Sequence, residues 1–108
     1  MINPFSKKRR AQLPEYAKLI SRLRELCNNR SELSGDVAGW QSNCLVEPHH
    51  IGGRTGHRFL DPFNIIMITR TEHAIEEGVI KGVKVGKEEL LRIVREIRIG
   101  QGFKEING

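Results

Sequence analysis

From Pro14 onward, apolar side chains fall at Tyr16, Leu19, Ile20, Leu23, Leu26 and Cys27, in steps of three and four. That period predicts a helix with one apolar face, Pro14 in its first turn and Lys18, Arg22 and Arg24 on the other side. Asn28-Asn29 supplies a stop. Over residues 30–43 the period is lost, and Gly35, Gly39, Asn43 and several serines predict an irregular connection, with Trp40 pinned against the core. Residues 44–47 form a short strand candidate running into a histidine doublet. Residues 65–68 (Ile-Ile-Met-Ile) form a second, apolar throughout, and Gly52, Gly53 and Gly56 mark a loop between the two.

Thr69-Arg70-Thr71-Glu72 fits a capping box, with Thr69 as N-cap and Glu72 three residues on. It opens a two-turn helix that Gly78 stops after Glu77. Beyond it, Val83 and Val85 predict a short extended piece with Gly82 and Lys84 on its other side. A last helix over residues 87–98 carries a buried stripe of Leu90, Leu91, Val94 and Ile97, with Arg92 and Arg95 off it. The order predicts an α+β fold. Residues 1–12 form a basic N-terminal arm, 13–99 a single domain and 100–108 a flexible tail, with no internal repeat.

At 108 residues the chain is long enough for one core to stand without staples. Eighteen Lys plus Arg against thirteen Asp plus Glu give a net charge of +5, compatible with a polyanionic partner but shared by many basic proteins. Placement says more. Lys7-Lys8-Arg9-Arg10 precede the first helix, as a solvated tail or as a DNA-contacting arm, and Arg54 and Arg58 lie in the glycine-rich loop. The N-terminus lacks a secretory hydrophobic region and no apolar run reaches membrane-spanning length, so a cytoplasmic protein is expected. Two cysteines, Cys27 and Cys44, are too few for a disulfide scaffold.

Three of the four histidines form a series: His49 and His50 in the doublet, then His73, with Asn64 between them. His73 and Glu77 are four apart, project from one helical face and can share an ion, with His49 approaching from the strand. Two imidazoles and one carboxylate leave positions open for water and a phosphate oxygen, as a catalytic metal site requires. The ring of His50 can take a proton from attacking water. Glu76 is the rival to Glu77 if the helix is rotated. Glu47 shares strand parity with His49, as a partner behind the ligands or as a surface carboxylate. His57 reads as solvated or phosphate-touching, and Asn64 alone would be ordinary turn chemistry.

The segment from about residue 44 to 78, with Glu47-Pro48-His49-His50-Ile51-Gly52-Gly53-Arg54-x-Gly56, then Asp61-Pro62-x-Asn64 and His73, resembles the ββα-metal motif of the HNH endonucleases, of the phage type. The resemblance covers about a third of the chain. It implies a DNA endonuclease with His49 and His73 as metal ligands, His50 as general base, and Asn64 holding the loop that positions the base. It also implies hydrolysis to 5′-phosphate and 3′-hydroxyl ends, by nicking or double-strand cleavage, in a bacterial or phage-infected cell. One motif serves one strand at a time, so the oligomeric state, monomer or weak dimer, stays open.

Two positions depart from the pattern. Glu77 stands where many members carry a third histidine, which adds negative charge and favours magnesium or manganese over zinc or nickel as the one catalytic ion. The Cys-x-x-Cys knuckles of many phage relatives are missing, so no structural zinc is expected. Arg54 is the expected phosphate contact at the site, with Lys7, Lys8, Arg9 and Arg10 farther out. The alternative function is a DNA-binding module that keeps the fold and has weakened or lost catalysis.

Overall fold

The computed structural model describes residues 7–39 and 44–105, and side chains from Arg10 onward. Trp40 and residues 1–6 of the expected arm lie outside these. Four successive apolar residues without alternation are best accommodated in a strand buried on both faces. Strand β2 (Ile65–Ile68) is that strand, and each of its four side chains is 0 % exposed. It pairs antiparallel with β1 (Glu47–His50), in the register Glu47–Ile68, Pro48–Met67, His49–Ile66 and His50–Ile65. Residues opposite one another share a face. Ile65 and Met67 pack with Val46 against Ile20 and Leu23 of α1 (Lys7–Leu26), whereas Ile66 and Ile68 pack with Ile51 against Leu90 and Val94 of α3 (Lys87–Gly100). The result is an α+β arrangement of three helices and a small two-stranded sheet among the described residues, α2 (Arg70–Glu76) following β2 directly.

Several boundaries differ from the sequence expectation. Helix α1 begins at Lys7, so the basic run forms its first turn and Pro14 lies inside the helix. Asn28 and Asn29 end it in left-handed backbone at φ +53° and +55°. The first strand is displaced from 44–47 to 47–50 because side chains of α1 and its terminus satisfy the backbone of residues 44–46. Asn29 Nδ2 donates to the Cys44 carbonyl at 2.8 Å and its Oδ1 accepts from Val46 N–H at 2.8 Å. Arg24 donates to the Val46 carbonyl from Nε and Nη2 at 3.3 and 3.0 Å, so it does not simply point to solvent.

Thr69 and Glu72 form the expected capping box. The piece around Val83 and Val85 has no partner strand among the described residues, and Val83 is 94 % exposed. The segment 101–105, expected to belong to a flexible tail, packs instead. Phe103 lies against the α1 core beneath the Arg22 guanidinium, 4.9 Å from its ring centroid, and residues 106–108 fall outside the described set. No helix among the described residues is long and apolar enough to cross a membrane.

Candidate metal centre

Alternation along β1 sends the two neighbouring histidines to opposite faces of the sheet. His49 shares its face with Glu47 and meets α2, where His73 and Glu77 stand one turn apart. Glu77 is the C-cap of that helix, and its N–H still bonds the His73 carbonyl at 3.0 Å, which keeps the i, i+4 relation. One donor atom each from His49, His73 and Glu77 lie within 4.8 Å of one another. His73 Nε2 is 2.7 Å from Glu77 Oε1, and His49 Nδ1 is 3.8 Å from the same oxygen.

Two observations suit this cluster to a cation. His49 Nδ1 is buried with no hydrogen-bond partner among the described residues. His73 faces carboxylates from both nitrogens, with Nδ1 2.9 Å from Glu47 Oε1. A neutral imidazole carries only one proton. If Nδ1–H donates to Glu47, the Nε2 lone pair confronts the Glu77 oxygen, and a positive charge belongs between them. Either a proton or a divalent ion meets that need, and nitrogen, nitrogen and oxygen donors suit borderline or hard divalent metals.

Burial, and then the neighbouring His73, lower the pKa of His49 against the opposing pull of Glu77 and Glu76. His49 therefore stays neutral, with its lone pair available, to lower pH than an ordinary histidine. Glu76 is committed elsewhere. Its two oxygens accept from Val85 N–H at 2.7 Å and Gly86 N–H at 3.2 Å, clamping the segment before α3. The structure thus gathers Glu77, and not Glu76, with the histidines.

His50 lies on the α1 face and is 9 % exposed, its ring stacked with Tyr16 and Phe59 at centroid distances of 5.6 and 6.0 Å. It is not part of the three-residue cluster. Tyr16, read from the sequence as a core position, is therefore also the platform of this histidine. Burial pushes the Tyr16 hydroxyl up, against the pull of Arg54 and Arg24.

Asn64 closes the loop between the strands. Its Oδ1 accepts from Gly52 N–H at 2.6 Å, its Nδ2 donates to the carbonyls of Gly53 and Arg58 at 2.8 and 3.0 Å, and its own carbonyl accepts from Ile51 N–H at 2.8 Å. A Cβ on Gly52 would stand 2.9 Å from Asn64 Oδ1, so glycine is what permits the approach. Arg54, His57 and Arg58 are exposed on this loop, and Arg10 is exposed on the first turn of α1. The side chains of Lys7, Lys8 and Arg9 lie outside the described set.

Strand parity marks Glu47 but leaves its bond to His73 undecided. No local pattern signals the Glu76 clamp, whose partners are backbone amides nine and ten residues on. No family model, no curated protein and no solved structure matches this chain.

Proposed function

We propose that this chain is a metal-dependent DNA endonuclease of the HNH type, cutting phosphodiester bonds by hydrolysis, with residues 44–78 as its ββα-metal motif. The observation that carries the reading is the convergence of His49, His73 and Glu77 donor atoms from a strand and a helix onto one point. A bound divalent ion, magnesium or manganese in first place, supplies positive charge against the phosphoryl and departing oxygens. Glu47 holds the His73 ring with Nδ1 protonated and turns Nε2 toward the centre, the carboxylate–histidine arrangement common behind metal ligands. His50 accepts the proton of the attacking water, Asn64 keeps the loop closed beside it, and Arg54 forks onto a phosphate oxygen.

One observation favours a second reading. The ring of His50 is turned to the α1 face and stacked on Tyr16, while the ligand cluster lies on the other face. In that reading the chain binds DNA and a metal ion but does not turn over.

Nicking of supercoiled plasmid, titrated with magnesium, manganese, zinc and nickel, separates the two. The endonuclease reading expects metal-dependent nicking that His49→Ala and His73→Ala remove. Metal binding by calorimetry without nicking under any ion would leave the binding module.

A further inference from the structure

Glu47 lines a second concavity. Beside the candidate metal centre runs a groove of about 550 Å³ walled by Arg24 of α1, residues 44–46, Glu47 and Arg70, the first residue of α2. Its charge is uneven. Two arginines and one glutamate line it, and the glutamate carboxylate is engaged by His73 Nδ1 at 2.9 Å. Arg24 is fixed in orientation because Nε and Nη2 hold the Val46 carbonyl, which leaves Nη1 outside that bond. Arg70 is exposed, three residues before His73 and so on the same side of the short helix.

Arg24 and Arg70 line the one groove, and a further guanidinium, Arg54, is exposed on the glycine-rich loop. A succession of guanidiniums suits a polyanion better than one small anion, because each fork takes a separate phosphate.

We propose that this groove seats the phosphodiester backbone of the DNA strand beside the scissile position, with Arg70 and Arg24 on its non-bridging oxygens. The proposal rests on the endonuclease reading for the identity of the ligand. It assigns to Arg24 and Arg70 a role that the Arg54 contact does not cover.

The test is fluorescence anisotropy of a short labelled DNA duplex with the full chain in EDTA, where binding is read without cleavage, at several salt concentrations. Arg70→Ala should weaken binding about tenfold, the worth of one charge-assisted contact, and lower the salt slope by about one. Arg24→Lys keeps the charge and loses the fork, and should weaken binding about threefold. Arg92→Ala removes the same charge from α3, outside the groove, and should change binding less than twofold. Calorimetric metal titration of Arg70→Ala should match wild type, showing that the fold and the ligands are intact. Inorganic phosphate at the same total phosphate concentration should leave the duplex bound.

Equal losses in Arg70→Ala and Arg92→Ala would overturn the groove, as would no duplex binding by wild type at low salt. So would displacement by inorganic phosphate, which would mark a pocket for a free anion. A wild type that binds the duplex but never nicks plasmid removes the endonuclease reading alone, because the groove is decided by the binding constants.

Discussion

Arg98 and Glu32, separated by 66 residues, form a bidentate ion pair at 2.6 and 2.7 Å, and their side chains are 0 % and 2 % exposed. The guanidinium spends its remaining donors on the carbonyls of Pro62 and Ile65 and on Gln101 Oε1, at 2.8 to 2.9 Å. Glu32 in turn accepts from Met67 N–H and donates its own N–H to the Met67 carbonyl. The pair covers the edge of β2 that β1 leaves open.

Removing one partner should therefore cost far more than a surface pair would. Glu32→Gln leaves a buried guanidinium without its counter-charge, and urea denaturation should show a loss of about 3–5 kcal/mol. A loss below about 1 kcal/mol, the range of exposed pairs, would mean that the edge is held by its backbone bonds alone.

The two neighbouring glutamates of α2 should separate cleanly. Glu77→Gln should weaken metal binding in calorimetry, while Glu76→Gln should leave it unchanged. Glu76→Gln should instead speed hydrogen exchange at the Val85 and Gly86 amides, which the carboxylate now holds. Unchanged metal affinity in Glu77→Gln would take the carboxylate out of the ligand set.

Glu47 should matter without touching the ion. Glu47→Ala frees Nδ1 of His73 and should cost about 10–100-fold in metal affinity, as loss of a carboxylate behind a histidine ligand does. The fold should tolerate it, since the side chain is 37 % exposed. An affinity equal to wild type would make Glu47 a surface carboxylate that happens to lie nearby.

His50→Ala decides whether the stacked ring is a base. Metal affinity should be kept and single-turnover nicking should fall by about 10²–10⁴. Nicking at the wild-type rate with reduced thermal stability would instead place His50 among the packing residues of the α1 face.

Acid should loosen the α2 cap only below the ordinary glutamate range. Burial pushes the Glu72 carboxyl up, but hydrogen bonds from Ser31, Ser34 and Thr69 outweigh it and hold its pKa below the ordinary glutamate value. A folded pKa below the unfolded one gives stability that is complete above the unfolded value and is lost as pH falls through the folded one. Glu72→Ala should thus destabilise by about 1 kcal/mol near neutral pH, the usual worth of a cap interaction, with the difference shrinking below pH 4.5. A difference constant with pH would assign the loss to contacts that the Glu72 side chain makes whatever its charge.

Much of this fold was legible because its signals are local. The three-and-four spacing of α1 and α3, the four apolar residues of β2 and the Thr69/Glu72 box each act within a few residues. The displaced start of β1 was not legible, because Asn29 and Arg24 replace a partner strand across 15 to 22 residues of sequence. Arg98 was invisible for the same reason: its counter-charge, Glu32, lies 66 residues away in sequence. At the site, the spacing of His73 and Glu77 indicated their proximity. The doublet sets a ligand beside a base in sequence, yet the same alternation that aligns His49 with Glu47 separates His49 from His50.

Asn64 has a consequence of another kind. One side chain gathers Gly52, Gly53 and Arg58, so the segment between the strands is closed at its neck and not along its length. What lies beyond the neck is mechanically separate from what lies below it. Lengthening the tip near Gly56 carries only a slowly growing closure entropy, roughly 0.6 kcal/mol for each doubling. The histidines and Glu77 would keep their positions. The tip of the hairpin can thus be exchanged while the cluster of His49, His73 and Glu77 stays fixed.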